Sequence, residues 1–357
     1  MSKLNKLTSE TDNLTKALKW VLLVFFIALI LYFGKLLFVP LSFGLLVALI
    51  VFPSCNKMEK KGLSRSLSIS VMLIFITSLF VGLIWLLGIE VNIFLGDLPK
   101  ISDRITQLSP SVTKWIEQSS GLNGSDQSAW FHRLTDNFDS KISGLLTGIF
   151  NTTISTIVML VMIPIYAALF LYHREMFVRY LELVSGPENQ NRLHSILHES
   201  VYSYFKFVKG NFYVYCIVGV LNVLGLFALG IEHAFLYGML TSFMMVIPYI
   251  GIFISAAIPV AIAFVTKDSI WYPIAVIVIF VIIQYLESNV IFPKVVGSQL
   301  NLSTWATLVA IIAATVLWGL AGMVLVTPFL SILKIITDYI PEWKPLNLLL
   351  NRAEGHS

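Results

Sequence analysis

The sequence predicts an all-α, polytopic integral membrane protein. Apolar residues make up 57% of its 357 residues and charged residues only 12%, whereas a soluble domain has about 45–50% apolar and about 25% charged residues. The mean hydropathy is +0.83. Several apolar runs reach the roughly 20 residues that a helix needs to cross a hydrocarbon core of about 30 Å. We therefore predict one membrane domain with helical extramembrane insertions.

Eight segments are predicted to span the membrane, and two of them are interrupted. The six continuous runs lie at 18–34, 36–53, 66–89, 149–172, 207–229 and 270–291. The interrupted stretches, 235–266 and 303–337, are longer than one crossing and shorter than two. Each is therefore either one long broken span or a re-entrant hairpin, and we favour broken crossings.

Lysine and arginine residues near the span ends predict the orientation. Residues 1–19 carry four lysines, and 54–65 and 173–209 are also rich in basic residues. Cytoplasmic loops carry such an excess, so both termini are predicted to be cytoplasmic. The resulting segments are an N-terminal part with three spans (1–89), an outer helical insertion (90–148), the fourth span (149–172), cytoplasmic amphipathic helices (173–206), the C-terminal spans (207–337) and a cytoplasmic tail (338–357).

The outer insertion has two apolar stripes with helical spacing. The first runs from Leu98 to Ile116 and contains Pro110, which predicts a kink or a break; the second runs from Phe131 to Ile149. The insertion is either a lid or docking surface at a pore mouth, or a pair of helices that pack on each other or on a neighbouring subunit. The stretch 174–206 also has a helical pattern, broken at 185–191.

Proline and glycine interrupt both long apolar stretches. One contains Pro248, Gly251 and Pro259, and the other is loosened at Gly319, Gly322 and Pro328. In hydrocarbon a broken helix needs internal partners for its freed backbone groups, so such breaks often line a transporter's binding site. The alternative is that proline and glycine are simply more frequent in membrane helices than in soluble ones.

A polar cluster lies at the end of the segment 270–291. It consists of Gln284, Glu287, Ser288 and Asn289. An ionisable group at the centre of a membrane helix costs roughly 2.5–3.5 kcal/mol on insertion scales, so Glu287 needs compensation. It could bind a cation or proton, pair with Lys294 or another base, or lie shallow enough for water. The lesser polar residues Asn211, Asn222, Thr241 and Ser242 are expected to form hydrogen bonds between helices.

Other classes of function lack support in the sequence. His194 and His198 are four residues apart, but no third metal ligand or HExxH motif accompanies them. Motifs for a nucleotide site or an intramembrane hydrolase are absent. Two cysteines support neither a disulfide framework nor a metal site. We predict no enzyme activity, no catalytic residue, no metal, no cofactor and no nucleic-acid partner.

Three C-terminal stretches carry a family likeness. They are VKGNFYVYCIVGVLNVLGLFALGIEHAFLYGMLTSFMMVIPYIG, LESNVIFPKVVGSQLNLSTWATLVAII and WGLAGMVLVTPFLSILKII. The sequence resembles the AI-2E transporter family of bacterial membrane proteins. The matching features are Lys209-Gly210, Ile247-Pro248-Tyr249-Ile250-Gly251, Glu287 with Asn289 and Pro293, Gly297, and the series Gly319, Gly322 and Pro328.

The resemblance implies a multi-pass protein of the bacterial inner membrane, assembled as a cyclic homo-oligomer such as a pentamer. It implies export of the quorum-sensing molecule autoinducer-2 or, in other members, exchange of Na⁺ or Li⁺ for H⁺. We therefore predict a secondary transporter that moves a small polar solute outward. The alternatives are a Na⁺(Li⁺)/H⁺ antiporter and a non-transporting envelope scaffold.

The predicted site combines both breaks with the polar cluster. Glu287 would carry a proton or cation, and Asn289 and Gln284 would offer neutral hydrogen bonds. The remaining positions are expected to open the backbone or line the path, and they are Pro248, Tyr249, Gly251, Pro259, Pro293, Gly297, Gly319, Gly322 and Pro328.

Overall fold

The fold is a set of α-helices with short connections. A computed structural model describes residues 2–120, 144, 154–245, 250–296 and 302–351. Its helices are α1 (Ser2–Phe33), α2 (Lys35–Lys60), α3 (Arg65–Ser120), α4 (Ile154–Tyr172), α5 (Arg174–Ser185), α6 (Gln190–Ala228), α7 (Ala234–Met244), α8 (Ile250–Thr266), α9 (Trp271–Leu286), α10 (Phe292–Val295), α11 (Thr304–Trp318), α12 (Leu320–Tyr339) and α13 (Lys344–Leu350). A π-helix, Glu287–Ile291, joins α9 to α10.

The chain forms two compact units. The first comprises Met1–Ile69, Ser155–Val201 and Asn301–Ser357, and the second comprises Ser70–Ile154 and Tyr202–Leu300. Each has its own buried apolar side chains.

Five helices in the described part of the chain are long and apolar enough to cross a membrane, or six if the bent pair α4–α5 counts as one span. Five of these match the predicted segments 36–53, 66–89, 149–172, 207–229 and 270–291, and the sixth, Leu320–Tyr339, covers only the second part of the stretch 303–337. The other two differ because the described apolar part of α1 is Val21–Phe33 and the stretch 235–266 consists of two shorter helices. The protein is a polytopic α-helical membrane protein, and the predicted count of eight is approximate.

In the first unit, α2 and α4 contribute the most deeply buried apolar side chains. Val51, Cys55 and Ala167 are completely buried, and Leu171 is nearly so. Helix α12 packs against α2. The indole nitrogen of Trp318 at the end of α11 donates a hydrogen bond to the carbonyl oxygen of Leu31 at 2.9 Å, which ties α11 to α1.

Two arginines connect the end of α2 and the start of α3 with the start of α5. The Arg174 guanidinium binds both carboxylate oxygens of Glu59, at 3.0 and 2.5 Å. Arg65 binds Glu175 at 3.1 Å and the carbonyl oxygen of Leu171 at 3.4 Å. These contacts bring the basic stretches after α2 and after α4 together.

Helices α11 and α12 form a hairpin with Gly319 as its only linking residue. Gly319 has φ 63° and ψ −140°, a conformation that side chains with a Cβ rarely adopt. The two helices pack against each other. Beyond them, the backbone N–H of Ser303 donates to the carbonyl oxygen of Leu350 at 2.7 Å, so the two ends of the hairpin are held on the same side.

Helices α7 and α8 form a second hairpin in the other unit. Ala234, Tyr237 and Leu240 of α7 share a buried cluster with residues of α8 and α9. At the turn, a Cβ on Gly251 would overlap the carbonyl oxygen of Met244. Only glycine therefore allows α8 to begin so close to the end of α7.

The preference for single broken crossings at 235–266 and 303–337 is wrong, because both stretches fold back on themselves.

The predicted loosening at Gly322 and Pro328 is also wrong. Both residues lie buried inside the continuous α12, and the break is at Gly319 alone. Pro259 likewise lies buried inside α8. Proline is tolerated inside membrane helices because neighbouring groups can satisfy the freed carbonyl.

Of the kink or break predicted at Pro110, the break is absent, since α3 runs from Arg65 to Ser120 and joins the third predicted span to the first stripe of the insertion. Removal of one hydrogen bond by proline does not by itself end a long helix. The second stripe, 131–149, lies outside the described residues. The break predicted at 185–191 is present, because α5 ends at Ser185 and α6 begins at Gln190.

We expect Gly251→Ala to destabilise the protein by about 1–3 kcal/mol, the usual range for overpacking, because the new methyl group overlaps the Met244 carbonyl. The matched control is Gly82→Ala, which has no atom within 4 Å of the new Cβ and should be neutral or stabilising by up to about 1 kcal/mol. Thermal unfolding in detergent, followed by tryptophan fluorescence, measures both. Equal melting temperatures for the two variants would contradict the close turn.

We expect Arg174→Ala to destabilise the protein by about 2 kcal/mol or more, because it leaves the Glu59 carboxylate, whose side chain is 17% exposed, without its cation. Arg179→Ala, on the exposed side of the same helix, should change stability by less than about 0.5 kcal/mol. The same unfolding measurement applies. A similar small loss in both variants would show that the pair contributes little.

Candidate functional site

The polar cluster lies where the α-helical pattern of the α9 segment changes. Apolar α9 ends at Leu286, and Glu287–Ile291 forms a π-helix. The sequence explains the change, because Pro293 lacks an N–H and its ring would clash with the carbonyl of Asn289 four residues earlier. The wider turn instead pairs the N–H of Phe292 with the carbonyl oxygen of Glu287. Single π-turns inside α-helices are frequent at functional sites.

Three side chains form a closed hydrogen-bonded group at the start of this turn. The amide nitrogen of Gln284 donates to Glu287 Oε2 at 2.7 Å and to Ser288 Oγ at 3.1 Å. The Ser288 hydroxyl donates to the same Glu287 oxygen at 3.0 Å. Both donors are neutral. They solvate the carboxylate without cancelling its charge.

The charge of Glu287 has no basic partner among the described residues. Ion pairs in that part of the chain include those of Arg65, Arg174, His194 and Lys334. A pair between Glu287 and Lys294, one of the three alternatives for this carboxylate, is not formed. Glu287 is half-buried and lies in the second half of the apolar stretch Trp271–Val295, inside the candidate span. Two explanations for the carboxylate remain. It binds a cation or a proton, or it is reached by water from a nearby interface.

Helix α6 packs along this segment. Val214 and Val218 of α6 share a buried cluster with Ile283 and Val296. Next to Val214, the partly buried Tyr215 lies on the same helix. Tyr215 was not predicted from the sequence. The sequence pattern that could have indicated Tyr215 is its position four residues after Asn211 and seven before Asn222. This spacing puts three polar side chains on one helical face.

Asn222 brings an unused hydrogen-bond acceptor into the same unit. Its side chain is 1% exposed and its amide donates to the carbonyl oxygen of Val218 at 2.9 Å. Its Oδ1 atom accepts no hydrogen bond from any described residue. The expected hydrogen bonds between helices are therefore wrong here, and Thr241 and Ser242 also donate to carbonyls of their own helix. Such bonding within the helix is common for these residue types.

The structure brings together only part of the predicted site. Gln284 and Glu287 are in contact, whereas the exposed Asn289 donates to the carbonyl oxygen of Tyr285 at 3.0 Å. Pro293 is exposed at the start of α10.

The other predicted site residues do not join this cluster in the described structure. Gly251 and Pro259 lie in the α7–α8 hairpin of the same unit. Pro248, Tyr249 and Gly297 lie outside the described residues. Gly319, Gly322 and Pro328 belong to the other unit, so the joint site stays a prediction.

Metal-ligand geometry is absent from the described part of the chain, where no group of three His, Cys, Asp or Glu side chains converges. His194 is held by Glu182, with 3.0 Å between its Nε2 and the carboxylate. The arrangement around Glu287 is suited to reversible binding of a proton or monovalent cation, and to hydrogen bonding of a small polar solute through Gln284 and Ser288.

Comparison with known proteins identifies the family. The sequence profile described as AI-2E family transporter matches residues 21–342. YrrI of Bacillus subtilis, provisionally named a transport protein, is 25% identical over 85% of this chain and 86% of its own length. YhhT of Escherichia coli, named in the same way, is 23% identical over 89% of both chains.

A third relative, TqsA of Escherichia coli, is named an AI-2 transport protein. It is 25% identical over 89% of this chain and 90% of its own length. The profile match extends over most of the sequence, including both hairpins and the Glu287 cluster. The chain therefore belongs to the AI-2E transporter family.

Proposed function

We propose that this protein is a secondary transporter that exports a small polar solute of the autoinducer-2 type, with Glu287 as its coupling residue. The membrane transport role follows from the family. The observation that carries the rest of the proposal is a half-buried carboxylate in an apolar segment, surrounded by neutral donors and without a cation among the described residues.

Neutral hydrogen bonds stabilise a carboxylate in such a place only in part. Binding of a proton or a cation therefore gives it a further gain in stability. An arginine or lysine partner would cancel the charge permanently and remove that gain. The carboxylate of Glu287 can therefore change its charge state during a transport cycle. The carboxylate lies at the start of a π-turn, a feature that is frequent at functional sites.

The polar side chains of α6 support a polar rather than an apolar solute. The unused acceptor of Asn222 and the hydroxyl of Tyr215 lie on the helix that packs against the Glu287 segment. A buried acceptor without a donor is costly unless a ligand or water completes it. A small solute with hydroxyl groups could supply that donor.

A second candidate function is exchange of Na⁺ or Li⁺ for H⁺. The specific observation that favours it is the same unpaired Glu287 carboxylate, because carboxylate oxygens suit both protons and hard cations. In the exporter, Glu287 binds the driving ion while the solute moves. In the antiporter, the two ions compete for Glu287 itself.

The proposed location is a bacterial cytoplasmic membrane, with both termini on the cytoplasmic side. The Arg174–Glu59 and Arg65–Glu175 contacts support it. They join the residues at the end of α2 and the start of α3 to the start of α5, and a shared side for these two basic ends agrees with the excess of basic residues in cytoplasmic loops. We further propose assembly as a cyclic homo-oligomer, and a subunit count after crosslinking tests it.

We expect Glu287→Gln to reduce export of autoinducer-2 from cells by about tenfold or more, equivalent to about 1.4 kcal/mol in the transport barrier, because the amide cannot take up the coupling proton. The matched control is Glu232→Gln, an exposed carboxylate in the turn before α7, which should leave export unchanged. External autoinducer-2 is measured over time in cells with and without each variant. Equal export by both variants would contradict a coupling role. Collapse of a pH gradient by Na⁺ or Li⁺ in everted vesicles, without autoinducer-2 export, would favour the antiporter.

We expect Glu287→Gln to unfold at the same or a higher temperature than the natural protein, although transport is lost. The substitution removes a charge whose placement at a membrane helix centre costs roughly 2.5–3.5 kcal/mol, and the glutamine oxygen can still accept from Ser288. Thermal unfolding of the purified protein in detergent measures this. A clear fall in the unfolding temperature would instead mean that the carboxylate holds the local structure together.

A further inference from the structure

Helix α5 is amphipathic, but its polar side faces its own protein. It follows α4 after the single residue His173, and the two helix axes are bent by 65°. None of its residues is buried. A helix of this kind on a water-soluble protein turns its apolar stripe towards the core.

Three contacts hold the polar side of α5. Arg174 binds Glu59 of α2, Glu175 binds Arg65 of α3, and Glu182 binds His194 of α6 at 3.0 Å. At 100° per residue, Arg174, Glu175 and Glu182 lie within an arc of about 100° around the helix. These contacts fix the rotation of α5 about its own axis.

The apolar stripe lies on the opposite side. Its centre is roughly 160° from the centre of the three contacts, and it consists of Met176, Phe177, Tyr180, Leu181, Leu183 and Val184. Every one of these side chains is exposed, Leu183 to 77% and Val184 to 68%. Exposing such a stripe to water would cost free energy. We therefore infer that the stripe faces something other than water.

We propose that α5 is an interfacial helix whose apolar stripe lies in the boundary between lipid headgroups and acyl chains. Its preceding helix supports this choice. Helix α4 is the apolar part of the bent pair, and its residues Leu169 and Tyr172 are themselves exposed. The ring of Phe177 lies 5.4 Å from that of Phe170 on α4. The stripe thus continues the apolar surface of a membrane helix.

The bend angle fits a position in the interface. Helix α5 has 12 residues and is about 18 Å long. If α4 lies near the membrane normal, a 65° bend lets α5 travel only about 8 Å in depth, within the layer that such helices occupy. Tyr172 and Tyr180 are also of the residue type enriched at that depth.

A second copy of the chain is the weaker explanation. One face of a helix about 18 Å long and about 10 Å wide offers roughly 180 Å², far below the about 800 Å² per partner of a stable protein interface. The stripe would need a large additional surface to form such an interface. The lipid interface needs nothing more than the stripe itself.

Spin labels at matched positions of α5 test this. In a background without the two native cysteines, Cys55→Ala and Cys216→Ala, single cysteines replace Val184 in the stripe and the exposed Arg179, which lies about 140° away around the helix. The full-length protein is labelled in vesicles of phosphatidylcholine and phosphatidylglycerol. Collisions with molecular oxygen, which concentrates in lipid, are compared with collisions with a water-soluble nickel chelate.

We expect the ratio of oxygen to nickel accessibility to be severalfold higher at Val184→Cys than at Arg179→Cys. Leu181→Cys, about 160° from Arg179 around the helix, gives a second reading of the stripe if the first variant folds poorly. Equal ratios at the stripe and at Arg179→Cys would show that the stripe faces water and would overturn the proposal. Low accessibility to both reagents together with dipolar broadening between labels would place a second copy on α5 and would also overturn it.

Discussion

Hydrocarbon offers no hydrogen-bond partners, and this constraint governs where the chain of this protein can bend. Within the described residues, each apolar hairpin has a glycine that its geometry requires. Gly319 permits a one-residue turn with a backbone conformation open mainly to glycine. Gly251 allows the start of α8 to approach the Met244 carbonyl.

The same constraint separates two ways of managing charge. At the end of α2, the Glu59 carboxylate forms a bidentate salt bridge with Arg174, the arrangement that best neutralises a partly buried carboxylate. At the end of α9, Glu287 receives only neutral donors. The first arrangement joins helices permanently. The second leaves a charge that another ion can still neutralise.

The sequence predicted features that depend on composition and local chemistry. Hydropathy found the apolar helices, and the break at 185–191 followed from Gly186 and Pro187. The Glu287 cluster was also predictable, because Gln284, Glu287 and Ser288 are near neighbours along one helix, where hydrogen bonds depend on local spacing alone. Pro293, read together with Asn289, could have indicated the π-turn.

Features that depend on contacts distant in sequence were not predictable in this way. A stretch too long for one crossing and too short for two is compatible with a broken span and with a hairpin, and the choice depends on packing between helices. Ser303 and Leu350, which meet at the base of the α11–α12 hairpin, are far apart in the sequence. Pro259 and Pro328 gave a false signal of breaks, because a proline inside a packed membrane helix is satisfied by surroundings that the sequence does not reveal.

The contrast between Glu59 and Glu287 also bears on which residues should matter for transport. A carboxylate that only supports structure gains from the strongest available partner, and this chain has 24 lysines and arginines to supply one. Lys294 is close in sequence to Glu287 and yet does not pair with it. A neutral shell stabilises the carboxylate less than an arginine would, but it keeps the free energies of the charged and neutral forms closer together. Small energy differences between states are what a transporter needs if one residue is to bind and release an ion in every cycle.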